Sequence, residues 1–327
     1  MSGQAPSGPD PVPVPAALAA ALAPTRDGEV WLRRLPVLVD RARTRWGLRL
    51  EPPFEGGRAA WTAPARTADG DDAVVKIVFP HPETAGEAVA LRAWAGRGAA
   101  ELLDLDAGAA TLLLRRCRPG HSLAEDRPLA EGRNETRLEL AGELLGMLHG
   151  VGADVGGANP SGVADLADVA TGWAQLLRER LQRHATTLEA DRGLVAEAAT
   201  LLEELPAGAG RRVLLHGDYN PGNVLARDAD GDRWVAIDPK PMTGDPAYDP
   251  WPMLSQLGDP VAGEGTAALR ARTRVLCAAA GGLEPDRVAA WSLARSCESA
   301  LWRAAELGDR TGALTELAEA KAWARLV

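Results

Sequence analysis

The chain has 327 residues, 46% of them hydrophobic, which is enough for two buried cores and excludes a disordered chain. A net charge of −9 argues against a nucleic-acid partner, and no stretch approaches the ~20 apolar residues of a membrane span. Three cysteines (Cys117, Cys277, Cys297) without C-x-x-C spacing exclude a zinc site or a disulfide framework and read as reduced, buried thiols of a cytoplasmic protein. The acidic excess is concentrated, because residues 121–209 hold 15 Asp and Glu against 7 Arg, a balance of −8. Solvated helix faces account for such a segment. So does a field that draws in a polycationic small molecule.

Residues 1 to about 16 are rich in Pro and Gly, and a mobile arm is expected over residues 1–28. The Ala-Leu run inside it is too short for a signal peptide and lacks the basic start of one. Over residues 31–46, Leu32, Leu35, Leu38, Val39, Ala42 and Trp46 recur at helical spacing, which predicts a helix opening a first domain over 29–117. A β-rich segment follows. Gly56 and Gly57 mark a turn, and residues 73–79 form an apolar run broken only by Lys76, one of three lysines among 36 basic residues. Lys76 faces opposite to Val75 and Ile77 on a strand, so its ammonium either reaches water or meets an anion.

Pro80 and Pro82 end that strand, and residues 84–94 open a helix. Thr84 with Glu87 three residues on is a capping-box pattern. Lys76 also needs a partner, so the two roles of Glu87 compete. Residues 102–105 and 111–114 read as two further strands. The second runs into Arg115-Arg116-Cys117-Arg118-Pro119-Gly120, a polar break where a second domain, 118–327, is placed. That domain reads as mainly helical, over 135–149, 171–185 and 194–205, then 266–280, 285–307 and 315–325. His149 is read as capping or packing. Trp291, Trp302 and Trp323 are read as core.

The helices are interrupted by LLHGDYNPGNVLARDADGDRWVAID, residues 214–238. Two short β-like runs joined by turns deliver Asp218, Asn223 and Asp238 to one end of a hairpin-like unit. That set suits phosphoryl transfer, which needs a carboxylate to take the proton of an attacking hydroxyl. It also needs hard oxygen ligands for Mg²⁺ beside nucleotide phosphates.

His216, Asp218 and Asn223 match H-x-D-x-x-x-x-N, and Asp238 lies 15 residues beyond Asn223. The stretch resembles the catalytic loop of the protein-kinase-like superfamily. Asp238-Pro239-Lys240-Pro241 in place of D-F-G, and no Arg before Asp218, turn the resemblance toward the aminoglycoside phosphotransferases. HGDYNPGNVL, AIDPKP and GDPAYDPWP are most similar to the streptomycin 6-kinase and hydroxyurea phosphotransferase group. The resemblance spans roughly residues 29–325 and is strongest over 213–254.

It implies an α+β protein-kinase-like two-lobed fold, with a small β-rich N-lobe that binds nucleotide and a larger helical C-lobe that is catalytic and substrate-binding. It implies ATP- and Mg²⁺-dependent O-phosphorylation of a cationic or hydroxylated small molecule, a streptomycin-type aminoglycoside being the leading acceptor. Hydroxyurea or an amino sugar is an alternative acceptor, and a non-catalytic nucleotide-binding pseudokinase is an alternative function. By the same resemblance Asp218 is the catalytic base and Asn223 and Asp238 bind the metal. Lys76 holds the α- and β-phosphates with Glu87 as its partner, and Arg116 and Cys117 form the adenine-binding hinge. Asp249 would brace the catalytic loop, Asp245 would do the same or face substrate, and Gly56-Gly57 would cover the phosphates. Lys240 is assigned no role. A monomer or weak dimer is expected, with no membrane partner.

Overall fold

The structure is a computed structural model, and it describes residues 12–80, 86–125, 134–152, 162–188, 191–228, 233–257 and 265–327. The described residues up to Gly96 together with Ala100–Cys117 make one unit, and Arg97–Ala99 with Arg118–Val327 make the other. Residues 97–99, assigned to the first domain from sequence, sit with the second. The Ala236 N–H donates to Gly98 O, and Ala99 bridges Ala236.

The first unit opens with α1 (Ala16–Leu22) and α2 (Arg26–Trp46). The arm expected through residue 28 is therefore folded from Ala16 on. Leu18 and Leu22, one turn apart in an Ala-rich run, are both buried. Thr25 starts α2 by accepting from Gly28 N (3.1 Å), and Gly47 ends it at φ 59°, a left-handed position that glycine adopts freely. Five strands follow: β1 (Arg49–Leu50), β2 (Ala60–Arg66), β3 (Asp72–Val78), β4 (Leu102–Asp106) and β5 (Thr111–Arg115). They order β1-β2-β3-β5-β4, every pair antiparallel. Trp61, Ala63 and Ala65 of β2 and Ala73, Val75 and Ile77 of β3 pack one face against Leu35, Val39 and Ala42 of α2. The alanines keep that face flat enough for α2 to lie close. Lys76 points the other way. The helix α3 (Glu87–Trp94) begins at Glu87 with Gly86 as N-cap and no side-chain cap bond. Thr84, its expected cap, lies outside the described residues.

The second unit is mainly helical: α4 (Asn134–Gly152), α5 (Leu166–Leu188), α6 (Arg192–Glu204), α7 (Trp251–Gln256), α8 (Gly265–Ala279), α9 (Pro285–Trp302) and α10 (Arg310–Trp323). Helix α4 lies tight on α8, since a Cβ at Gly142 would sit 2.6 Å from Ala279 Cβ. Helix α9 stops at Trp302 and continues as one π-turn, Arg303–Leu307. Asp309 then caps α10 through Gly312 N (2.9 Å), so the helix starts at Arg310, five residues before the start predicted at 315. Trp291 and Trp323 are fully buried, but Trp302 is 39% exposed at the end of α9, contrary to its expected core position. Cys277 and Cys297 are buried, whereas Cys117 is only half-buried, because it ends the first unit beyond the sheet.

Two small sheets complete this unit. Strands β6 (Ala164–Asp165), β10 (Met242–Gly244) and β7 (Val213–Leu215) form one, and β8 (Val224–Ala226) pairs with β9 (Trp234–Ala236) in the other. The hairpin therefore joins β8 to β9. The apolar run at 213–215 pairs instead with β10, Met242 opposite Leu215, a partner with too short a run to stand out in sequence.

Candidate active site

In the first unit, Lys76 lies opposite Thr62 on β2 and Leu112 on β5, on the sheet face away from α2. Its Nζ donates to Glu87 Oε1 at 2.6 Å, and the two side chains are 10% and 3% exposed. A buried charge persists only when paired, so the pair resolves the competition over Glu87 in favour of Lys76. The polar break at the end of β5 is held by Arg116. Its N–H donates to Asp72 O (3.4 Å) and its Nη1 donates to Glu51 (3.1 Å). Cys117 is the last residue of the unit. Gly56 stands at φ 98° in the turn before β2.

In the second unit, β7 carries the chain into His216-Gly217-Asp218. The segment is fastened from three sides. Asp249, fully buried, accepts from His216 N (2.9 Å), Gly217 N (2.8 Å) and His149 Nε2 (2.8 Å). Burial alone would raise the Asp249 pKa, but the His149 hydrogen bond and the Gly217 N–H hold it below its ordinary value. Tyr219 is buried and donates from Oη to Ala141 O on α4 at 2.7 Å. Burial, helped by the Asp249 charge, pushes that phenol well above its usual value, so it stays a donor.

His216 has no access to water. Its Nδ1 accepts from Asp218 N (3.3 Å) and its Nε2 lies 3.0 Å from Ile237 O. An amide donor on one nitrogen and a carbonyl acceptor on the other fix the neutral Nε2–H tautomer. Burial lowers its pKa against the nearby charges of Asp249, Asp218 and Asp238, which agrees with a neutral ring.

Asp218 itself is partly open, its side chain 29% exposed. Asn220 Nδ2 donates to Oδ1 at 3.0 Å, and Lys240 Nζ stands 3.1 Å from Oδ2. Asn223 Nδ2 donates to Asp218 O (3.0 Å), which turns the Asn223 Oδ1, a hard oxygen, away from that carbonyl. The Ile237 N–H donates to Asn223 O (2.9 Å) at the open end of the β8–β9 hairpin. Asn223 precedes β8 and Asp238 follows β9, so both lie at that end. Asp238 is exposed and sits at φ 57°, a left-handed position that Asp tolerates better than most residues. Among the described residues, no group of three or more His, Cys, Asp or Glu forms a metal cage. One amide oxygen and one carboxylate are instead the sparse set Mg²⁺ takes when phosphates complete its shell.

The block after β10 is buried throughout residues 241–250. Asp245 accepts from Ala247 N (3.0 Å), Arg287 Nε (2.6 Å) and Trp291 Nε1 (2.6 Å), so it ties this block to α9 and does not face outward. Three holding groups escaped the sequence reading. His149 is far from the motif in sequence, and Asn220 reads as an ordinary Asn-Pro turn. Lys240 carries one local signal, being one of only three lysines in a chain that otherwise uses arginine.

A β-rich unit with a buried Lys–Glu pair, and a helical unit presenting Asp218, Asn223 and Asp238 from a loop and hairpin, define a phosphotransferase of the protein-kinase-like class. A choline/ethanolamine kinase family protein from Mesorhizobium loti has the same fold, with a TM-score of 0.59, 20% identity and coverage of 88% of this chain and 94% of that one. The family model for aminoglycoside/hydroxyurea antibiotic resistance kinases matches residues 45–308, and the chain belongs to that family. It is 35% identical to a streptomycin 6-kinase of Streptomyces glaucescens, over 93% of each chain. It is 37% identical to a hydroxyurea phosphotransferase of Kitasatospora aureofaciens, over 88% of this chain and 78% of that one.

Proposed function

We infer that the protein transfers the terminal phosphoryl group of ATP to a hydroxyl of a streptomycin-type aminoglycoside and thereby inactivates it. The observation that carries this reading is the Asp218 carboxylate, oriented through both oxygens yet partly open, on a loop whose carbonyl holds the Asn223 amide. The streptomycin 6-kinase relative that matches along 93% of the chain supports the acceptor. Asp218 orients the acceptor hydroxyl and takes its proton as the oxygen attacks. Asn223 and Asp238 hold Mg²⁺, which neutralises phosphate charge when bound. Lys76, fixed by Glu87, sets the α- and β-phosphates. The Arg116 carbonyl and the Cys117 main chain meet adenine, since the Arg116 N–H is already given to Asp72. Catalysis of this kind is mostly positioning and charge neutralisation.

Incubating the purified protein with ATP and Mg²⁺ against a panel of aminoglycosides and hydroxyurea tests the reading. Streptomycin is expected to gain the mass of one phosphoryl group. ATP turnover with hydroxyurea alone phosphorylated would move the acceptor to the second relative's substrate.

A further inference from the structure

Lys240 is built into the same frame as Asp218. Its N–H donates to His216 O at 2.8 Å, and its carbonyl fills the space where a side chain at Gly217 would begin, 1.8 Å from that Cβ position. Pro239 and Pro241 flank it, both buried and each with φ fixed near −65°. The main chain of Lys240 is therefore buttressed while its side chain is 46% exposed. An exposed ion pair with Asp218 would add little to stability, so the buttressing serves something else. The Lys240 ammonium carries three N–H donors and touches the carboxylate that must accept a proton beside an anionic phosphate. Asp218 and a phosphoryl group would repel each other across the reacting hydroxyl. A fixed cation touching both removes that repulsion where charge builds up.

We propose that Lys240 bridges Asp218 and the transferred γ-phosphoryl group, a cationic contact separate in role from the α- and β-phosphate contact proposed for Lys76. This rests on the kinase reading above. In the step, the acceptor oxygen forms a bond to the γ-phosphorus as the bond from that phosphorus to the β–γ bridging oxygen breaks. The hydroxyl proton passes to Asp218, ADP leaves with the bridging oxygen, and Lys240 keeps its proton throughout.

The test uses the full chain with Lys240→Met and Lys240→Arg. Calorimetry with a non-hydrolysable ATP analogue and with ADP reads the γ-phosphate contact without turnover. The Met variant is expected to bind the analogue about tenfold more weakly and ADP as wild type does. Its kcat for streptomycin, and for ATP hydrolysis without acceptor, should fall by ~10², with KM for streptomycin within about threefold and Tm unchanged. The Arg variant should recover at least about a tenth of wild-type kcat. Equal weakening of analogue and ADP, or a Met variant within about threefold of wild-type kcat, would overturn the proposal. So would a loss of kcat that follows a loss of Tm and is not restored by Arg. Wild-type hydrolysis of ATP without phosphorylation of streptomycin would reject only the acceptor, leaving Lys240 to be judged on hydrolysis and calorimetry. Wild-type protein that neither binds nor consumes ATP would remove the kinase reading and this proposal with it.

Discussion

Gly217→Ala is the smallest change that reaches the centre of this site. The residue stands at φ 81°, and the added Cβ would lie 1.8 Å from Lys240 O, a backbone atom that no rotamer change can move. The Lys240 carbonyl would have to retreat by at least 1.2 Å, from 1.8 to 3.0 Å, the shortest contact such atoms tolerate. That retreat pulls on the bond from Lys240 N to His216 O and on the pair between Lys240 and Asp218. Left-handed strain costs ~1–2 kcal/mol and overpacking ~1–3 kcal/mol, so a stability loss of about 2–5 kcal/mol is expected. A displacement of about 1 Å at a reacting group costs on the order of 10²-fold in turnover. Urea unfolding and kcat are measured on Gly217→Ala beside Gly210→Ala, where the new Cβ meets nothing within 4 Å. The control should behave as wild type. If the two variants matched in midpoint and kcat, the described packing of residues 216–218 on Lys240 would be wrong.

The buried Lys76–Glu87 pair should make Lys76→Met cost about 3–5 kcal/mol in urea unfolding, with Met at 76 and Leu at 87 together recovering much of it; additive losses would show the pair is not coupled. His216 has a folded pKa depressed below 6.5, so the unfolded chain takes the proton first, and stability present above about pH 6.5 is lost as pH falls below it. Asp249 loses its share only below its unfolded value of 3.8, outside that window. The urea midpoint should therefore drop between about pH 7 and pH 5, and a flat profile would contradict a neutral, buried imidazole. The −8 balance over residues 121–209 should draw in streptomycin, whose guanidinium groups stay charged. Its kcat/KM should then fall through KM as the Debye length shrinks from ~10 Å at 0.1 M salt to ~3 Å at 1 M, and salt-independent turnover would reject the electrostatic capture.

What could be read from sequence follows the range of the interactions concerned. The Lys76 strand, the Asp218 loop and most helices are local patterns of period two or 3.6, and they stand in the fold near where the residues placed them. Strand partners are not local. Nothing in Val213-Leu214-Leu215 says that it pairs with Met242-Thr243-Gly244 and not with the nearer run at Trp234. The early helix at Ala16 was lost to its alanines, which carry helix propensity but little hydrophobic contrast. Asp249 as a brace was legible by resemblance. His149, a hundred residues away, was not recognised as its partner because only the tertiary fold brings the two within 2.8 Å. Lys240 is an isolated lysine between two prolines, and nothing local says that its ammonium reaches Asp218, 22 residues earlier in the chain.

The central claim is that Asp218 is the group that takes the proton of the acceptor hydroxyl, and Asp218→Ala tests it most directly. Single-turnover phosphorylation of streptomycin is followed in parallel with nucleotide binding by calorimetry. Turnover should fall by ~10² or more, the scale of a positioned general base. Nucleotide affinity should be largely kept, because Asn223, Asp238 and Lys76 remain in place. Turnover near that of wild type would contradict the assignment of Asp218.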